Sequence, residues 1–222
     1  MRRHIVKLLV LGSAIALGLV GWSCIPTSSG TEPRKVAVMI GINITDSVLA
    51  RGESKTVLAT GIDFEVRLDN SWRYSLFAVG PKVQEVLHDE TPVSDDKSTL
   101  DQWLNVLKPF PIPPTTKGTR SNLFFDRACD YAGSHPNTRV ISILIGDGFS
   151  ESTTPQEWTH VRSHIAKTPN LRGAWIGTGV GAVEEIEREL GKIVTGDHPQ
   201  FLIKSDLKTL DIDGLLKELT RE

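Results

Sequence analysis

The sequence predicts an α/β fold: a doubly wound, mostly parallel central sheet with helices on both faces and one antiparallel edge strand. Two observations carry this expectation. Apolar runs of strand length recur at 36–42, 72–79, 139–145, 171–176 and 201–203, and most lack the polar alternation of a half-exposed strand. Stretches with helical spacing lie between them, so strand and helix alternate along the chain. From about residue 35 to 222 the chain is long enough for one domain with a sizeable core and too short for two ordinary ones.

Taken in order, Val36-Ala37-Val38-Met39-Ile40-Gly41-Ile42 forms the first buried strand. Residues 48–68 are read as one long helix, although Ile62 to Leu68 alternates like a strand. The second strand is Trp72 to Val79, and Gly80-Pro81 turns the chain into a short edge strand, Val83 to Leu87, paired antiparallel with it. A helix over Leu100 to Leu107 precedes the proline-rich segment Lys108 to Pro114, which cannot be helical because proline lacks the donor and fixes the backbone. Helices over Leu123–Ala132, Pro155–Ala166, Val183–Leu190 and Leu207–Leu219 complete the alternation. Gly177-Thr178-Gly179-Val180-Gly181 lacks the full dinucleotide-binding spacing and reads as a tight strand-to-helix loop.

The amino terminus reads as an export signal. Arg2, Arg3 and Lys7 precede an uncharged apolar run from Leu8 to Val20, and a basic start retained in the cytoplasm sends the rest of the chain across the membrane. Gly21-Trp22-Ser23-Cys24 resembles the cleavage box of bacterial lipoproteins, in which a cysteine is acylated and becomes the new amino terminus. It departs from that box where leucine and a small residue are usual and Gly21 and Trp22 stand instead. Three outcomes are open: acylated Cys24, which is the reading adopted, cleavage by ordinary signal peptidase, or an uncleaved anchor, for which the run is short of the about 20 residues a spanning helix needs. Residues 1–24 are thus assigned to the signal, 25–34 to a flexible tether rich in Pro, Ser, Thr and Gly, and 35–222 to the folded domain. The expected location is the cell envelope, anchored to a bacterial membrane through the N-terminus. Without Arg2, Arg3 and Lys7, 22 of the 25 basic residues face 27 acidic ones, a net charge of −5 that argues against a nucleic-acid partner.

In an open parallel sheet, ligands bind beyond the carboxyl ends of the strands. Three segments lie there or beside it: Asn43-Ile44-Thr45-Asp46-Ser47 after the first strand, Gly118-Thr119-Arg120-Ser121-Asn122 after the proline loop, and Gly146-Asp147-Gly148 after the 139–145 strand. Together, in this order, they resemble the signature of the von Willebrand factor A domain family, over roughly residues 35–220. The resemblance implies a Rossmann-like fold and a metal-ion-dependent adhesion site, where hydroxyls and carboxylates hold Mg²⁺ and an acidic group of a protein partner completes the shell. By position it assigns Asn43, Thr45, Ser47, Ser121 and Asp147 as ligands, with Thr119 and Asp46 as alternatives. Asn43 departs from the pattern, since an aspartate is expected there. An amide keeps an oxygen and loses a negative charge, which weakens a site for a hard cation.

Each of these residues also has a plainer reading. Thr45, Asp46 and Ser47 are common helix caps, and Asp147 between glycines suits a turn. His160 and His164 sit one helical turn apart, but no third zinc ligand at suitable spacing is evident, and exposed helix positions are expected. Cys129 is expected to be a small buried apolar residue. The function expected is that of a membrane-tethered, extracytoplasmic protein-binding module with a degenerate adhesion site, not an enzyme. The alternative is a metal-dependent envelope hydrolase using Asp147.

Overall fold

The computed structural model describes residues 35–43, 54–93, 96–107, 118–147, 153–177, 182–197, 199–207 and 209–221. Cys24, the tether, Thr45, Asp46, Ser47 and the proline segment lie outside the described residues. The strands are β1 (Lys35–Asn43), β2 (Arg73–Val79), β3 (Val83–Glu90), β4 (Thr138–Ile145), β5 (Leu171–Ile176) and β6 (Phe201–Lys204). The helices are α1 (Ser54–Val66), α2 (Asp96–Leu107), α3 (Ser121–Ser134), α4 (Pro155–Ala166), α5 (Ala182–Leu190), the single turn α6 (Lys192–Thr195) and α7 (Ile212–Thr220).

The sheet runs β3-β2-β1-β4-β5-β6, parallel throughout except for the antiparallel β2–β3 pair. Side chains alternate across it and both faces are covered, which is why the strands read as unbroken apolar runs. On one face Val38, Ile40, Ile42, Ile141, Ile143 and Ile145 pack with Phe64, Trp103 and Leu215, which come from α1, α2 and α7. On the other, Met39, Phe77, Val140, Leu144 and Trp175 pack against Phe124, Phe125, Trp158, Ile165 and Ile186 from α3, α4 and α5. The edge strand β3 is tolerable in water because Gln84, Glu85, His88 and Asp89 point outward and the register breaks twice against β2.

The 48–68 segment is helical from Ser54 to Val66. Val57, Thr60, Gly61, Phe64, Glu65 and Leu68 are buried at a spacing of three and four, and Ile62 is buried beside that stripe. The polar members Thr60 and Glu65 hide that stripe from an apolar count and leave the strand-like alternation conspicuous. Gly61 belongs to the stripe because a Cβ there would meet the Trp103 ring at 2.5 Å. At the other end of the chain, α7 starts at Ile212 rather than near Leu207. Asp211 sets that start, since its Oδ1 accepts from the Gly214 N–H at 2.9 Å as an N-cap. The start of α4 at Pro155 is fixed by a capping box between Thr154 and Glu157, with proline at the first helical position. Cys129 is buried and free, and burial pushes its thiol up to about 12, so it packs as a small apolar residue.

Glu65 is a fully buried carboxyl on α1. Burial pushes its pKa above the usual 4.5, while Tyr74, Trp103 and the Val93 N–H, 3.4 Å from Oε1, act in the opposite direction. A carboxyl with a raised folded-state pKa contributes its full stability below the unfolded value, and that contribution is lost as pH rises through the folded value. Glu65→Gln is therefore expected to melt higher than the parent at pH 7.5, with the difference shrinking towards pH 4.5. Paired thermal unfolding curves at the two pH values check this, and a variant less stable than the parent at pH 7.5 contradicts it.

Candidate functional site

The sheet order reverses direction between β1 and β4: β2 and β3 extend to one side of β1, and β4, β5 and β6 to the other. Such a switch point opens a crevice at the carboxyl ends of the two central strands. Asn43 ends β1, and Gly146-Asp147 follows β4 directly across from it, in register with the Ile42–Ile145 pair. A third segment, Gly118-Thr119-Arg120, leads into α3, and the Arg120 N–H holds it to the end of β2 by donating to the Gly80 carbonyl at 2.9 Å. Gly118 has a φ of 97°, which favours glycine where the segment turns towards the sheet.

Asn43, Thr119, Ser121 and Asp147 are all buried, with exposures of 3%, 4%, 0% and 1%. The Asn43 amide nitrogen donates to Asp147 Oδ1 at 3.2 Å, and Thr119 Oγ1 donates to Asn43 Oδ1 at 3.5 Å. The order of these bonds follows from the donors available. An ionised carboxylate only accepts, so the amide turns its nitrogen to Asp147 and leaves its oxygen for the threonine hydroxyl. Gly146 makes the approach possible, because a Cβ there would lie 2.5 Å from Asn43 Cβ. Ser121 opens α3 with its Oγ buried and, among the described residues, without a hydrogen-bond partner, an arrangement that costs about 1–3 kcal/mol unless a ligand supplies one. Beside it, Asn122 Oδ1 accepts from Thr153 Oγ1 at 2.9 Å, and Arg120 pairs with Glu157 of the α4 capping box.

Among the described residues the structure thus joins Asn43, Thr119 and Asp147 by hydrogen bonds and sets Ser121 two residues beyond Thr119. The Mg²⁺ that the resemblance implies needs a shell of oxygens. Thr119, Ser121 and Asp147 offer them, but Asn43 presents nitrogen to the carboxylate, and nitrogen is a poor ligand for such an ion. In this arrangement the Asn43 amide places the positive end of a dipole against the Asp147 carboxylate, where the resemblance expects a cation; Thr45 and Ser47, the other two ligands it implies, lie outside the described residues.

No protein-family model and no curated protein matches the sequence. Solved structures do. A von Willebrand factor type A protein from Catenulispora acidiphila superposes with a TM-score of 0.59 at 16% identity, over 85% of this chain and 43% of that one. The chain has the von Willebrand factor A-type fold. The manganese-loaded TRAP protein of Plasmodium vivax shares this A-type fold with a TM-score of 0.57 at 14% identity, over 84% of this chain and 72% of that one. Proximal thread matrix protein 1 from the mussel byssus, in a structure with a zinc occupied MIDAS motif, superposes at 0.50 and 14% identity, over 83% of this chain and 47% of that one. The chain spans less than half the length of the first and third of these proteins. A-type domains thus carry metal in some relatives of this fold, and identities this low establish the fold alone.

Two features of this cluster escaped the sequence. The direction of the Asn43 amide is a tertiary matter, legible only once Asp147 and Thr119 are placed. Arg120 and Glu157 lie 37 positions apart and could be paired only by knowing that α3 packs on α4.

The arrangement makes a direct prediction. Asn43→Asp sets a second carboxylate against Asp147, and two like charges at that spacing need a proton or a cation between them. In EDTA this variant is expected to lose about 1–3 kcal/mol of stability, with the loss recovered in millimolar Mg²⁺, while the parent melts alike in both. Thermal unfolding of the two proteins checks this; a parent stabilised by Mg²⁺ contradicts it.

Proposed function

We propose that this chain is an extracytoplasmic protein-binding module with a von Willebrand factor A-type fold, tethered to a bacterial membrane through its N-terminal segment and using a metal-independent version of the adhesion face. The observation that carries the proposal is the hydrogen bond from Asn43 to Asp147 at the switch point, beside the Ser121 hydroxyl, which has no partner among the described residues. That pairing accounts for how Asn43, Thr119 and Asp147 keep their order without a cation, beneath the loops that a partner's acidic side chain would meet.

Binding is a better match than catalysis for the groups in this cluster. Thr119, Ser121 and the Asn43 amide exchange hydrogen bonds, but none is a base able to activate water at neutral pH. Asp147 is already engaged by Asn43. Where the mussel byssus protein has a zinc occupied MIDAS motif, the amide takes the organising part in this chain.

Two measurements test the proposal. Mass spectrometry of the full chain expressed in a bacterium is expected to find an acylated Cys24 in the membrane fraction, and Cys24→Ser is expected to abolish acylation. In-cell crosslinking followed by purification is expected to yield the same partner after EDTA as before, at least tenfold reduced in an Asp147→Ala/Ser121→Ala variant. Capture that disappears in EDTA and returns with Mg²⁺ would restore a metal-dependent site, and capture indifferent to the double substitution would remove the face from the binding account.

A further inference from the structure

A second cluster joins α3 to α4, beginning about one helical turn along α4 from the Arg120–Glu157 pair. His160 and His164 are one turn apart on α4, and the packing of the two helices brings Asp126 of α3 between them. Asp126 Oδ1 lies 2.7 Å from His164 Nδ1 and 3.4 Å from His160 Nε2, and one ligand atom from each of the three residues falls within 4.8 Å of the others. Asp130, one turn along α3, places its Oδ1 3.9 Å from His164 Nε2.

We propose that Asp126, His160 and His164 bind a divalent transition-metal ion, of which Zn²⁺ is the best match, and that the ion clamps α3 to α4 with its fourth position open. The donor set decides the class of ion. Two imidazoles and one carboxylate suit zinc and its neighbours, whereas Mg²⁺ and Ca²⁺ take oxygens. Ligand bonds of about 2.0–2.2 Å in a tetrahedral shell separate donor atoms by about 3.3–3.6 Å. The His160–Asp126 separation already falls there, and the His164–Asp126 hydrogen bond must open by less than an ångström.

The backbone beneath these side chains is fixed. Phe125, Ala128 and Cys129 flank Asp126 on α3, and Trp158, Val161 and Ile165 interleave with the histidines on α4, all buried in one core. Their α-carbons therefore hold position without an ion. The ligands themselves reach solvent, His160 at 68% side-chain exposure and His164 and Asp126 at 30% and 29%, so an ion can enter. With three protein ligands, the fourth position is left for water or a donor from another molecule.

The test uses the full chain in mild detergent, purified without a polyhistidine tag, titrated with Zn²⁺ against a chromophoric chelator. One ion per chain is expected, with affinity reduced tenfold or more in His160→Ala, His164→Ala and Asp126→Asn and unchanged in Asp147→Ala. Zn²⁺ is also expected to raise the melting temperature of the parent and not that of His160→Ala, whose exposed position leaves folding intact. Binding no tighter in the parent than in His160→Ala overturns the proposal. So does a loss of binding in Asp147→Ala equal to that in the histidine variants, which would assign the ion to the loop face.

Discussion

The amide of Asn43 lies between a hydroxyl that donates a hydrogen bond to its oxygen and a carboxylate that accepts one from its nitrogen. That constraint settles which way the amide turns, and with it the electrostatics of the crevice at the end of the sheet. A carboxylate in the same place would leave two negative groups in contact, tolerable only with a proton or a cation between them. The amide removes the conflict at its source. In the metal-independent reading proposed above, the asparagine that weakens a hard-cation site also neutralises that contact.

This contact exists because the fold brings distant segments to one spot. β1 and β4 are neighbours by sheet order and not by sequence, and 104 positions separate Asn43 from Asp147. Gly146 keeps the space between them free of a side chain, and the Gly80 carbonyl at the end of β2 fixes the segment that carries Thr119. The two apolar layers, one on each face of the sheet, hold these strand ends in place. Burial at that density tolerates little displacement, so the site inherits its order from the core.

Much of this was legible in the sequence for physical reasons. Strands buried on both faces carry unbroken apolar runs, and all five were readable to within a residue or two at each end. The short edge strand was readable from its turn. Helix α1 was ambiguous because Glu65 occupies a core position, and α7 was placed too early because its cap is an aspartate within a polar run. For the site, the family resemblance of the three segments pointed to Asn43, Ser121 and Asp147, with Thr119 as an alternative, while the hydrogen bonds that join Asn43, Thr119 and Asp147 waited on tertiary placement. Asp126 was missed for the same reason: it stands 34 and 38 positions before the histidines it meets, and only the packing of α3 on α4 makes them neighbours.

The central claim is that Asn43 and not a cation organises the loop face, and the side-chain amide protons of Asn43 report on it most directly. In a ¹⁵N-resolved NMR spectrum of the parent in EDTA, the Asn43 Nδ2 pair, assigned by its absence from Asn43→Asp, is predicted to be resolved and slow to exchange with solvent. Its shifts are predicted to stay unchanged on adding about 10 mM Mg²⁺, a saturating dose for a weak hard-cation site. Rapid exchange in EDTA, or protection that arises only with Mg²⁺, would contradict the account.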